Sequence, residues 1–241
     1  AIIWVWVITG SLEISQNGVL DGKIDPKYAP FLLMMFVFGI GKAALMPIHK
    51  WLPAAMVAPT PVSALLHAVA VVKAGVFTML LVLTNVFGIE FLSKTGASFW
   101  LIGLASFTLL TTSVIAIYKD DIKARLAYST ISQLSYITLG GALASSLATQ
   151  GAALHIVTHA ERKITLFFVA GAIYVGAKLS NISELNGQGK SMPLIFIAFF
   201  IGSLSIIGVP PMGGSWSKFF LMLGAAESGY FFVIAVFCIS T

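Results

Sequence analysis

The sequence predicts an all-α membrane protein: a polytopic helix bundle with two inverted repeats and two proline-broken helices, and a fragment of a longer chain. Three observations carry that expectation. Of 241 residues, 58% are hydrophobic and only 10% charged, with a mean hydropathy of +0.97; soluble domains carry about 25% charged residues. Apolar runs long enough to cross a hydrocarbon core of about 30 Å recur along the chain, and lipid forces such runs to be helical because no backbone donor or acceptor can face hydrocarbon. Five basic side chains, Lys42, Lys73, Arg162, Lys163 and Lys218, lie inside these runs rather than between them. Each such cation costs about 2.5 to 3.5 kcal/mol on insertion scales and needs a functional or pairing reason, so the pattern points to a charge path through a membrane.

Taken in order, the chain opens at Ala1 in an apolar run, AIIWVWVITG, and closes at Thr241 in another, GYFFVIAVFCIST, which is why a fragment is expected. A partial helix ends near Ile8, and a polar loop with Gly, Pro and mixed charge continues to Pro30. Spans follow near 31–58, 61–86, 98–118, 125–146, 150–176 and 193–226, with a last one begun at Tyr230. The whole reads as one transmembrane domain, 1–86 ending a first repeat and 98–241 supplying most of a second. Lys50, Lys119, Lys123, Arg125, Lys178 and Lys190 fall in loops on one side, against Lys23, Lys27 and Lys94 on the other. That bias places the 119–125 loop, KDDIKAR, in the cytoplasm of a cell whose inner membrane holds the chain. The single Cys238 excludes a disulfide framework and a thiolate metal cluster. The net charge of +5 accompanies no basic stripe interleaved with aromatics, so nucleic acid is not an expected partner. No nucleotide loop, cofactor motif or nucleophile–base pair is present, and neither a cofactor nor enzymatic activity of the chain by itself is expected.

Two spans are abnormal. The first carries Lys42 and then Pro47 and Pro53; the sixth carries GVPPMGG at 208–214, with Pro210 and Pro211, and then Lys218. Proline removes a helix donor and clashes with the preceding turn, so both spans should break and expose backbone polar groups near mid-membrane. Lysine precedes one break and follows the other, and four spans between them set the two helices antiparallel. Interrupted helices in corresponding places mark an inverted repeat and its transport site.

The remaining polar residues suggest a relay. His67 and Lys73, six residues apart, sit about 120° apart on an ideal helix, so at least one must face a neighbouring helix. His155, His159 and Lys163 recur every four residues and share a face. That spacing suits two metal ligands, but zinc needs a third and a fourth, and neither a Glu in an HExxH pattern nor a nearby Cys is present; no metal is expected. Histidine titrates near neutrality and a desolvated lysine can exchange protons at working pH, with Thr158, Thr165 and water available to extend the line. Glu161 and Arg162 interrupt this picture. With Lys163 they point in three directions, Glu161 has no basic residue three or four positions away, and its partner must come from another helix, Lys73 being one candidate.

Four segments carry a resemblance: GKAALMPIHKWLPAAMVAPTPVSALLHAVAVVKAGVF (41–77), DIKARLAYSTISQLSYI (121–137), HIVTHAERKITLFFVAGAIY (155–174) and GVPPMGGSWSKFF (208–220). They closely resemble the proton-translocating antiporter-like membrane subunits of respiratory complex I, membrane-bound hydrogenases and Mrp sodium/proton antiporters, with VAVVKAGVF and KITLFFVAGAIY most like the Mrp D subunit. The resemblance implies two inverted five-helix repeats, each with a broken helix bearing a central lysine, here Lys42 and Lys218. It also implies a connecting lysine at Lys73, path histidines at His67, His155 and His159, and a further lysine at Lys163. It pairs the first broken-helix lysine with a glutamate on an earlier helix, a region not represented in this sequence. Glu161 and Arg162 depart from the pattern, which has apolar residues there. The implied function is proton translocation coupled to sodium export, beside other membrane subunits in the bilayer. The alternatives are a redox-driven proton pump subunit of an NADH-quinone oxidoreductase or hydrogenase, and a non-conducting scaffold.

Overall fold

The computed structural model describes residues 1–10 and 18–241, and of Val69 the backbone alone. Of the polar loop expected before Pro30, residues 11–17 therefore lie outside the described residues. Helix α1 covers Ile2–Thr9 and α2 covers Ala29–Ile40. The first abnormal span breaks at Gly41, earlier than its prolines suggest. Gly41 (φ 49°) and Ala44 (φ 54°) turn the chain out of the helical region before Pro47 removes its donor. The expected helix through 58 is instead a 3₁₀ turn Ile48–Lys50, a short α3 (Trp51–Ala54) and another 3₁₀ turn Ala55–Val57.

The second span runs as a rod past its expected end at 86. It comprises α4 (Thr60–Ala64), a π turn Leu65–Val69, α5 (Val71–Leu81), a π turn Val82–Gly88 and α6 (Ile89–Thr95). Helix α7 (Phe99–Tyr118) matches its expected span, while α8 (Ile122–Ala142) and α9 (Ser146–Ala177) start several residues earlier than expected. Capping explains the early starts: an Asp121 carboxylate oxygen accepts from the Ala124 amide at 2.6 Å, and Ser145 Oγ accepts from the Ala148 amide at 3.4 Å. With 32 residues, α9 is about 48 Å long. After the one-turn α10 (Gln188–Ser191), the second abnormal span divides into α11 (Pro193–Ile207) and α12 (Gly213–Glu227), broken at the expected place. Helix α13 (Phe231–Ser240) follows.

Helices α8 and α9 form the centre, and α9 packs against α8, α11, α12, α4 and α5. Every residue from Thr130 to Ala142 is buried, including Thr130, Ser132, Gln133, Ser135 and Thr138. Most of these hydroxyls satisfy themselves locally: Thr130 donates to the Leu126 carbonyl, Ser135 to Ile131 and Thr138 to Leu134. Large apolar side chains such as Phe107, Ile117, Phe168 and Phe200 point outward. Hydroxyls, imidazoles and cations buried beneath large outward-facing apolar side chains are unlike a soluble core and suit lipid. Among the described residues there is no strand, only a bridge between Asp121 and Asn181 that ties the start of α8 to the connector after α9.

Candidate functional site

The interior polar residues are arranged around the break after α11. A helix C-terminus leaves four carbonyls without intrahelical donors. Here the Leu204 carbonyl accepts from the Gly208 and Val209 amides, at 3.0 and 3.2 Å. The next three are taken by cations. Arg162 Nη1 donates to the Ser205 carbonyl at 2.7 Å, and Lys218 Nζ donates to the Ile206 and Ile207 carbonyls at 2.9 and 3.1 Å. The proline break thus creates the acceptors that buried positive charge needs, at the negative end of the helix dipole. Lys218 Nζ also donates to Thr241 Oγ1 at 3.2 Å and lies 5.4 Å from the Tyr136 ring centroid.

From Lys218 the contacts continue inward. The Tyr136 ring stacks on His155 with centroids 5.5 Å apart, and Ser217, next to Lys218 on α12, meets His155 Nδ1 at 2.9 Å. His155 Nε2 meets Gln133 Oε1 at 3.0 Å; donating there, the imidazole accepts from the Ser217 hydroxyl through Nδ1. His155 and His159 lie with rings nearly parallel, 6° apart in plane and 6.0 Å between centroids, as their four-residue spacing requires. His159 Nδ1 in turn meets Lys73 Nζ of α5. Both imidazoles are fully buried. A line of contacts therefore runs Lys73, His159, His155, Ser217 with Tyr136, and Lys218, in which His155 and His159 meet through their ring faces and His159 Nε2 has no hydrogen-bond partner among the described residues.

Three expected members stand apart from that line. Lys163 is fully buried, but its ammonium turns toward the start of α8, donating to the Leu126 carbonyl at 3.0 Å and to Ser129 Oγ at 2.5 Å. His67 stacks on Phe167 at 5.8 Å, with neither ring nitrogen bonded to a described residue. The π turn that contains His67 changes the helical phase, so His67 and Lys73 both face α9 despite their ideal 120° separation. Lys42 is exposed, and the structure does not bring its ammonium to the cluster. Lys42 approaches α5 at its backbone and Cβ: a β-carbon on Gly75 would lie 2.5 Å from the Lys42 carbonyl carbon and 2.6 Å from its Cβ. The breaks thus place Pro47 beside an open cation and Pro210 and Pro211 beside a caged one; Pro53 lies within α3, its missing donor falling in the first turn.

Glu161 is exposed, and Lys73 is not its partner, because Lys73 faces His159 instead. The hydroxyls of Thr158 and Thr165 make their contacts on α9 itself. Thr158 Oγ1 donates to the Leu154 carbonyl and accepts from Arg162, and Thr165 Oγ1 donates to the Glu161 carbonyl. The sequence reading missed Gln133, Tyr136, Ser129 and Ser217. For Gln133 and Tyr136 the signal was a cluster of polar residues, TISQLSY, on a span too buried to solvate them; Ser129 stands just before it and Ser217 just before Lys218.

Lipid-compatible outside, with cations and imidazoles gathered inside against a broken helix, the fold and site define a polytopic membrane bundle with an interior polar line. Comparison with known proteins agrees over the full length. The chain belongs to the family described as "NADH:quinone oxidoreductase/Mrp antiporter, TM", whose profile matches residues 1–241. It is 40% identical over 230 residues to a probable K(+)/H(+) antiporter subunit of Rhizobium meliloti, covering 94% of this chain and 22% of that one. It is 36% identical over 242 residues to NADH-quinone oxidoreductase subunit N of Desulforudis audaxviator, covering 99% and 48%. Among solved structures, a chain of the Mrp complex from Dietzia sp. superposes with a TM-score of 0.87 at 26% identity, over 99% of this chain and 44% of that one. The chain thus spans less than half the length of each of these relatives.

Proposed function

We propose that this chain is the ion-translocating core of a subunit of a multisubunit cation/proton antiporter, passing protons along the buried lysine and histidine line in exchange for sodium. The observation that carries the reading is the contact between Lys73 Nζ and His159 Nδ1. It joins the second span to the histidines of α9, and through His155 and Ser217 to the lysine at the α11 break. Lys42, His67 and Lys163 flank this line, Lys42 on its open side and Lys163 toward the 119–125 loop, which we place in the cytoplasm of a prokaryotic cell. Residues 1–86 then close a first repeat and 98–241 form most of a second. The partners are other membrane subunits, lipid, protons and sodium ions.

The physics is charge coupling. Two unit charges about 7 Å apart at an effective dielectric of about 20 repel by about 2.4 kcal/mol, a factor of roughly 50 in occupancy. Protonation at one end of a line of buried basic groups therefore disfavours a proton at the next, and a proton taken up on one side promotes release from the other. Histidines between the lysines carry a proton over the intervening distance because each ring can accept at one nitrogen and donate from the other.

The identity with an NADH-quinone oxidoreductase subunit favours a second reading, in which redox chemistry in partner subunits drives the same line. An imposed sodium gradient across everted vesicles containing the full-length protein and its partners separates them. Under the antiporter reading the gradient drives proton movement, which Lys73→Ala or Lys218→Ala abolishes. Sodium-independent proton movement that follows electron transfer instead would favour the pump, and undiminished transport in both normally assembled variants would sink the lysine path.

A further inference from the structure

We propose that Arg162 is a positioning residue for Lys218, anchoring the broken end of α11 so that its last carbonyls hold the Lys218 ammonium in place. Arg162 is almost wholly buried. Its guanidinium spans two helices: Nε donates to the Thr158 carbonyl at 2.6 Å and Nη2 to Thr158 Oγ1 at 3.0 Å, both on α9, while Nη1 reaches the Ser205 carbonyl of α11 at 2.7 Å. The two carbonyls following Ser205 are those that receive Lys218. Three consecutive carbonyls at one helix end thus serve two cations, and the pose of the first sets the pose of the others.

The residue type fits that task. A guanidinium offers donors in a rigid planar fork and can bond two helices at once, whereas a lysine ammonium is a single point on a flexible stem. It also stays charged at working pH, so the anchor holds whether or not Lys218 carries a proton. Gly214, in the first turn of α12, is shaped to the same contact: a β-carbon there would run into the Ser205 carbonyl oxygen and Arg162 Nη1. Arg162, itself outside the relay, therefore holds the break at which the relay ends.

The inference rests on the proposed role of Lys218, and its test separates the two. In the full-length protein within its complex, sodium-driven proton exchange is measured for Arg162→Gln, Arg162→Lys, Gly214→Ala and Thr158→Val, with membrane assembly quantified for each and Lys218→Ala as reference. The expected result is a loss in maximal rate of about 10- to 100-fold for Arg162→Gln and Gly214→Ala, the scale on which misplacing a reacting group acts. The half-saturating sodium concentration stays unchanged, and Arg162→Lys, which keeps the charge but not the fork, recovers only part of the rate. Thr158→Val, close to isosteric, assembles fully and loses about two- to fivefold. If Lys218→Ala abolishes exchange while Arg162→Gln and Thr158→Val run at the parent rate, the positioning role is overturned and the path stands. Full rescue by Arg162→Lys with Gly214→Ala silent overturns it in favour of charge alone. Parent-like exchange in Lys218→Ala overturns the path itself.

Discussion

Replacing His159 with leucine removes the link between the second span and the rest of the line at little cost in volume. Lys73 is only 6% exposed, and its ammonium has one hydrogen-bonding partner among the described residues, His159 Nδ1. Without the imidazole the charged form of Lys73 is left buried and unbonded. A hydrogen bond to a charged group contributes about 1.5 to 3 kcal/mol, and stranding a buried charge costs about 3 to 5 kcal/mol. Taking about 3 kcal/mol, the protonated state of Lys73 becomes roughly 150-fold rarer. If that state is an obligatory stage of the cycle, exchange falls by about two orders of magnitude. The assay is sodium-driven proton movement in vesicles with the full-length complex, normalised to the amount of assembled protein. His159→Gln, which keeps an acceptor, should recover part of the loss. A His159→Leu protein that assembles normally and transports within threefold of the parent would refute the reasoning.

Other outcomes follow from single contacts. Gly75→Ala places a β-carbon against the Lys42 backbone, which must shift; such overpacking destabilises by about 1 to 3 kcal/mol and should lower the melting temperature in detergent. Ser129→Ala removes the 2.5 Å acceptor of Lys163 but leaves the Leu126 carbonyl. Transport should fall only a few-fold, and Lys163→Ala should reduce it much further; equal effects would contradict the two-acceptor geometry. The exposed Asp120 accepts from the Ser183 hydroxyl at 2.7 Å and the Ser183 amide at 3.0 Å. These bonds, followed by weaker contributions from the Ile182 amide and Arg125, hold its carboxyl below the usual range. Because the folded value is depressed, the contribution is full above the ordinary carboxylate range near 3.9 and is lost as pH falls through the folded value. Amide protection at 180–186, the exchange rate taken relative to the intrinsic rate at the same pH, should therefore fall in acid, and Asp120→Ala should show the low protection already at neutral pH.

The spans were legible because lipid leaves hydrophobic runs few alternatives, and α7 follows its expected limits closely. Ends set by capping were not, since Asp121 and Ser145 begin their helices earlier than the apolar pattern does. The second break was legible from Pro210 and Pro211. The first was displaced, because Gly41 and Ala44 leave the helix ahead of Pro47 and put Lys42 inside the break. Four-residue spacing placed His155, His159 and Lys163 on one face, but only tertiary packing decides which way a long lysine turns, and Lys163 turns away from the histidines. His67 escaped helix geometry through a π turn that no residue pattern announces. Arg162 looked anomalous because its acceptors are a threonine hydroxyl and two backbone carbonyls, one of these 43 residues distant along the chain, freed by a break whose consequences a sequence does not display.

The central claim is that Lys73, His159, His155 and Lys218 act as one line, and proton flux in proteoliposomes of the full-length complex tests it most directly. Lys73→Ala, His155→Leu and Lys218→Ala are compared singly with Lys94→Ala, whose side chain forms an exposed pair with Glu90 at 3.4 Å. The account predicts that each of the first three abolishes sodium-coupled flux while Lys94→Ala retains it. Flux that survives in all three correctly assembled variants would contradict it.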